Sequence, residues 1–330
     1  MVVEKSCAEY TDIRIPGIVA SERGTLLRYC ECRRSVSDWA DIDIKVARSE
    51  DCGASWETVL IINSKGNTLN NPVMFVDKDQ LVFLFCKNYK EIWKCVSVDD
   101  GKTFSTAERI NFEKSVDFFY NVAAVGPGHG TVHNGTLVVP IWFAYNKENE
   151  KSHHPSFIST LYSLDRGMSW SVGEIIFPSE LKNPSECALA VTDNNEFLIS
   201  IRHEGEPRKR GIAKSANGFS GWYDFHFEDN LTDPVCMGSM TYEGGRIYHS
   251  NCDSSLGRVN LTVKISDDCF KTCRSIQVSD IGGYSDIALS GGKLYILYEK
   301  TFMKENAIPP CHMGFSAPFE LYFDVLDITE

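Results

Sequence analysis

Arg14 lies within YTDIRIPGIV, between Ile13 and Ile15 and ahead of Pro16 and Gly17. A guanidinium in an apolar, strand-like run is costly to bury unless an anion meets it. Either an internal carboxylate or an anionic ligand is therefore expected beside it. Further arginines sit in similar settings: Arg202 ends LISIR, Arg258 interrupts SSLGRVNLTV, and Arg33 and Arg34 adjoin in CECRRSV. Guanidinium forks suit carboxylates better than any other cation does, so arginines gathered in one place would make a site for an organic acid. Proton-transfer groups are also at hand. Asp38, Asp41 and Asp43 crowd SVSDWADID, Glu186 stands in NPSECALAV, and Tyr284 lies in GGYSDIA. Taken alone, Tyr284 reads as a core tyrosine and Arg14 as half of an internal salt bridge.

The bulk composition narrows the partners. The 330 residues carry a formal net charge of −12. Such a surface repels nucleic acid and anionic membranes, so cations that hold an anion must be concentrated locally. The start MVVEKSCAEY lacks the basic and apolar regions of a signal peptide. No run approaches the roughly 18 apolar residues of a membrane helix. The chain as it stands reads as cytoplasmic, or as secreted if a leader had been removed. Its 12 cysteines include no C-x-x-C spacing, so reduced and mostly buried thiols are expected rather than zinc ligands. His129 and His133 lie in glycine-rich sequence, not on a helix face, and do not read as a metal pair. No cofactor is implied.

A repeat supplies the elements that position these groups. SEDCGASW from Ser49, SVDDGKTF from Ser97 and SLDRGMSW from Ser163 all fit S-x-D-x-G-x-[ST]-[WF]. Degraded copies follow, SANGFSGW from Ser215 and SDDCFKTC from Ser266, with successive starts 48, 66, 52 and 51 residues apart. The pattern describes a tight turn. The acidic side chain caps backbone N–H groups, glycine takes a left-handed conformation, and the aromatic ring packs beneath. Asp51, Asp99 and Asp165 are thus expected to be structural rather than catalytic. Between the copies run short alternating segments such as IDIKVARS, QLVFLFCK, EFLISIRH and KLYILYEK, rich in β-branched and aromatic residues. About four strands per repeat of roughly 50 residues predicts an all-β, six-bladed β-propeller. A solenoid is the alternative, though its repeats are usually shorter.

The combination resembles the exo-α-sialidase (neuraminidase) family of the bacterial and animal type. RIPGIV is similar to its Arg-Ile-Pro signature, and the turns are similar to its Asp boxes. SVSDWADIDIKVARSEDCGASW resembles the stretch from the catalytic acid to the first box. DPVCMGSM followed by GRVNLTVKISDD resembles the run with the third arginine, and GYSDIALSGGKLYILYE the stretch with the nucleophile. The resemblance implies one catalytic propeller domain over residues 1–330, without an accessory carbohydrate-binding module.

It also implies roles. Arg14, Arg202 and Arg258 would form a clamp for the carboxylate of sialic acid, with Arg208 and Arg210 as competitors for the second place. Tyr284 would be the nucleophile, because a carboxylate there would be repelled by the substrate's own carboxylate. Glu186 would be the base that assists it, and Asp38 the acid/base, with Asp41 and Asp43 as alternatives. Arg33, with Arg34 as competitor, would contact a ring hydroxyl. Phe118, Phe119 or Trp142 would line an N-acetyl pocket, and Glu320 would brace Arg14. The implied activity is retaining hydrolysis of terminal sialic acid from oligosaccharides, glycoproteins or glycolipids, through a tyrosyl intermediate and with no metal. Trans-sialidase or intramolecular trans-sialidase activity, or non-catalytic sialic-acid binding, are the alternatives. The sequence departs from the family at Ser185, Cys252 and Asp286. Asp286, two residues beyond Tyr284, is expected on the same strand face, where it would raise the phenol's pKa.

Overall fold

The computed structural model describes residues 1–114, 117–177, 179–301 and 318–328, and among these there is no helix. The strands form six antiparallel-cored sheets arranged as a six-bladed β-propeller. The first blade comprises Asp12–Ala20, Leu26–Arg33, Ile42–Ser49 and Glu57–Ile62, in order from the axis outward. The second is built on Leu69–Asp77, the third on Val122–Val125 and Thr136–Ala144, the fourth on Cys187–Val191, the fifth on Ser239–Glu243 and the sixth on Ser285–Ser290. These inner strands touch their neighbours in succession, and the sixth meets the first. Val2–Glu4 pairs with Phe319–Asp327 as the outermost strand of the sixth blade, so the ring is closed by chain from both directions.

Apolar side chains fill the wedges between blades, as alternation along each strand requires. One cluster spans the second to fourth blades through Phe75, Val139 and Leu189. Another joins the first and sixth through Leu26, Leu297 and Phe323.

Each repeat turn links the third and fourth strands of its blade. In the first, Asp51 accepts hydrogen bonds from Ser49 Oγ (2.7 Å), Ser55 N (2.9 Å) and Ser55 Oγ (2.6 Å). Asp99 and Asp165 repeat the pattern with Thr103 and Ser169. The copy at Ser266 is degraded in sequence but not in structure. Asp268 binds Thr272 N (2.9 Å) and Oγ1 (2.7 Å), and Phe270 occupies the left-handed position of the missing glycine at φ 68°. The glycine of the first turn is needed for another reason too. A Cβ at Gly53 would lie 2.3 Å from the Phe323 ring of the sixth blade. The turns therefore wedge against the preceding blade as well as closing their own hairpins.

Candidate functional site

The first strand of a blade begins, the second ends and the third begins on the same face of the propeller. The repeat turns lie at the other end of the third strand. Arg14 opens the first strand of the first blade, and Arg33 ends its second. Asp38 lies in the loop that follows. Glu186 and Arg202 flank the first two strands of the fourth blade. Arg258 immediately precedes a strand of the fifth, and Tyr284 the inner strand of the sixth. Residues far apart in the chain thus meet over the axis, around a cavity of about 340 Å³, a size usual for small-molecule sites.

Tyr284 stands at the centre, with only 6% of its surface exposed. The guanidinium carbons of Arg14, Arg202 and Arg258 lie 5.4, 5.9 and 5.1 Å from its ring centroid. Its hydroxyl donates to Glu186, with Oη 2.7 Å from Oε1 and 2.6 Å from Oε2, and accepts from an Arg202 terminal nitrogen at 2.7 Å. The same nitrogen binds Glu186 Oε2. Arg202 Nε is buried without a hydrogen-bond partner among the described residues. Burial drives the phenol's pKa well up; Arg202 and Arg258 oppose this, while Glu186 adds to it. Ile15, Cys236, Met237 and Cys252 form the apolar bed beneath the ring.

The approach of Arg14 requires an unusual backbone. Register shifts between Arg14 and Gly17, where Pro16 can donate no hydrogen bond, and Ile15 adopts φ 58°. Such a bulge re-aims a side chain at the cost of strain. A Cβ at Gly17 would fall 1.9 Å from the Tyr29 ring, so only glycine fits there. Glu299, fully buried, holds the bulge together. Its Oε1 accepts from Arg14 Nε (2.7 Å) and Ile15 N (2.8 Å), and its Oε2 from Tyr284 N (3.1 Å). Glu299, not Glu320, is therefore the carboxylate that braces Arg14. Glu320 lies opposite Lys300 on the next strand, and it does not line the cavity. The signal for Glu299 was available: in KLYILYEK it is a charge adjoining an apolar run, as Arg14 is in IRIPGIV.

On the first blade, Arg33 is almost fully buried and joins Glu31 Oε2 (2.6 Å) to Asp38 Oδ1 (2.7 Å). Glu31 Oε1 accepts from Asn71 N (2.8 Å). Burial acts to raise the Asp38 pKa, but Arg33, Arg14 and His153 outweigh it and hold the carboxyl below the usual range. Arg34 instead binds Glu9, Asp41 and Asp43 away from the cavity. Arg210 is engaged with Asp233, Ser200 and the Cys236 carbonyl, and Arg208 with Glu206. Of the competing residues, only Arg33, Asp38 and Arg202 face the cavity.

Trp142 lines the cavity wall, together with Tyr89 and His153, whose rings cluster at centroid distances of 5.0–6.2 Å. Phe118 and Phe119 do not line it. They line a neighbouring cavity, where Phe118 packs on Phe143 and Phe157 of the third blade. Asp286 also departs from expectation. Its side chain points down the axis and accepts from Ser239 Oγ (2.6 Å) and Ile18 N (2.8 Å), with His129 Nδ1 at 2.7 Å. The groups that act most on the Tyr284 hydroxyl are Arg202, Glu186 and Arg258. His133 meets Asn134. Among the described residues, no group of three or more His, Cys, Asp or Glu is arranged to hold a metal ion.

Residues 38–296 match the BNR repeat-like domain family, and the chain belongs to it. Among its relatives is a sialidase of Bacteroides fragilis, 26% identical over 77% of this chain and 53% of that protein. The chain thus spans about half the length of that relative. Among solved structures, the Hadza microbial sialidase Hz136 superposes with a TM-score of 0.79 over 91% of this chain and 66% of that one, at 23% identity. A leech intramolecular trans-sialidase complexed with 2,7-anhydro-Neu5Ac superposes with a TM-score of 0.78 over 100% of this chain and 70% of that one, at 14% identity. At these identities the superpositions speak to the fold.

Proposed function

We propose that the chain is a retaining exo-α-sialidase, a glycoside hydrolase acting on terminal sialic acid of oligosaccharides, glycoproteins or glycolipids. The observation that carries this reading is the convergence of three guanidinium groups on one buried tyrosine whose hydroxyl donates to a glutamate. A phenol with its proton is a poor nucleophile, and burial makes ionisation harder still. It needs a base in contact and cations nearby, and Glu186 and Arg202 supply both within 2.7 Å. Arg14, Arg202 and Arg258 take the substrate carboxylate and so set the anomeric carbon over Tyr284 Oη. Asp38 protonates the departing glycosidic oxygen as Tyr284 attacks and Glu186 takes the phenolic proton. Asp38 then removes a proton from the incoming water, which displaces the tyrosine with net retention. Arg33 fixes Asp38 in place and also favours its ionised form. The acid form therefore depends on the arrival of the anionic substrate or on acidic pH.

Hydrolysis of 4-methylumbelliferyl α-sialoside is the test, with the product identified by mass. Free sialic acid in wild type and a collapse of turnover in Tyr284→Phe support the proposal. Near-wild-type turnover in that variant would overturn the nucleophile assignment. The alternative reading is intramolecular transfer, for which 2,7-anhydro-sialic acid would be the product instead.

A further inference from the structure

The cavity that receives Phe118 and Phe119 lies directly beside the first one. It measures about 380 Å³ and is walled by Phe118, Phe119, Tyr145, Phe157 and Ile175, with Lys147 as its one charged wall residue among the described residues, set 5.9 Å from the Phe119 ring centroid, and Ser156 lining both cavities. Phe119, Tyr145 and Ile175 are 51, 43 and 42% exposed, three large apolar side chains held together in water. Such patches are uncommon on a protein surface unless something covers them. The floor is firmly built, with Phe157 stacked on Phe143 at 5.3 Å and edge-on to Phe118 at 5.1 Å. The Ser156 hydroxyl is committed to the Pro184 carbonyl at 2.8 Å, so the shared wall offers little polarity.

The occupant follows from the direction of the clamp. Tyr284 enters from the sixth blade, and the three arginines surround it from the first, fourth and fifth. In a ring of six, the third blade faces the sixth, and the third blade carries Ser156 and the aromatic cavity. A sugar acid gripped at its carboxyl end therefore points its far end at this wall. We infer that the second cavity receives an apolar acyl substituent, longer than acetyl, on the end of the sugar acid remote from its carboxylate. This rests on the sialidase reading and names the substrate class within it.

Calorimetry with 2,3-didehydro-2-deoxyneuraminic acids carrying N-acetyl, N-butanoyl and N-hexanoyl groups tests it on the full chain. These probes have no aglycone, so any gain with length belongs to the acyl end. Binding should tighten about tenfold from acetyl to hexanoyl, a modest return for methylenes entering an apolar pocket. Ile175→Asp and Tyr145→Ala should each remove that gain and leave N-acetyl binding within twofold. Equal or weaker binding of the longer compounds by wild type overturns the inference, as does a gain that survives both substitutions. Binding of the N-acetyl compound without a gain removes this inference alone. No binding of the N-acetyl compound removes the sialidase reading with it.

Discussion

The repeat turns and the axial site use the same polar residue types to opposite ends. Asp165 finds its partners within four residues, in Ser163, Met168 and Ser169, and these hydrogen bonds hold its carboxyl down at about 2. At the axis, Tyr284 reaches Glu186 across 98 positions, and Arg14 reaches Glu299 across 285. A carboxylate satisfied by its own turn is ionised at any ordinary pH and has nothing left to give a substrate. Groups assembled from separate blades hold one another at short range and keep a cavity open between them. The difference teaches that a carboxylate closed within its own turn serves the blade, whereas Tyr284 and Arg14 owe their surroundings to other blades.

That contrast can be broken by substitution. Tyr284→Phe should lower kcat on an aryl sialoside by about 10³-fold or more while leaving Tm nearly unchanged; a large loss of Tm would make the tyrosine structural instead. Asp38→Ala should cost about 10²–10⁴-fold on sialyllactose, where the leaving oxygen needs a proton, and far less on the aryl sialoside. Equal losses on the two substrates would remove the acid role. Glu299→Ala should move both readouts. It removes the carboxylate that binds Arg14 Nε, a loss that costs up to about 3–5 kcal/mol in buried pairs, and it raises KM.

Asp165→Ala should do the reverse of Tyr284→Phe, lowering Tm by a few degrees at pH 7 with kcat/KM within twofold. The native pKa is depressed, so its contribution is present above the unfolded value of 3.8 and disappears as pH falls through about 2. The gap between wild type and variant should accordingly narrow over that range. The smallest effect belongs to His129. Burial acts to lower its pKa, but Asp286 overrides this and raises it. Its stabilising pair is therefore complete below about 6.5 and is lost as pH rises through the raised folded value. The urea midpoint of wild type should exceed that of His129→Gln at pH 6 and approach it at pH 9.

The legibility of the molecule follows the same division. Ser49, Asp51, Gly53 and Ser55 stand in one short run, and the spacing of three intact and two degraded copies, set against the chain length, was enough to count blades. The copy at Ser266 looked worn because Phe270 replaces glycine, yet Ser266, Asp268 and Thr272 alone rebuild the turn. The site was legible only through resemblance, which pointed to Arg14, Arg202, Arg258, Tyr284, Glu186 and Asp38. Nothing in their spacing predicts that they converge. Glu299 was missed for Glu320 because the bracing carboxylate comes from the strand paired with that of Glu320. Asp286 was misplaced because strand alternation assigns a face but not a depth along the axis. Phe118 and Phe119 stand in the neighbouring cavity and not beside Trp142, because an apolar run in a loop does not say which side of a wall it will occupy.

The most direct test of the central claim is a crystal structure of the protein soaked with 2,3-difluorosialic acid. The predicted result is a covalent bond from Tyr284 Oη to the anomeric carbon, with the carboxylate held by Arg14, Arg202 and Arg258. A sugar attached to another residue, or one whose carboxylate faces solvent away from those three arginines, would contradict it.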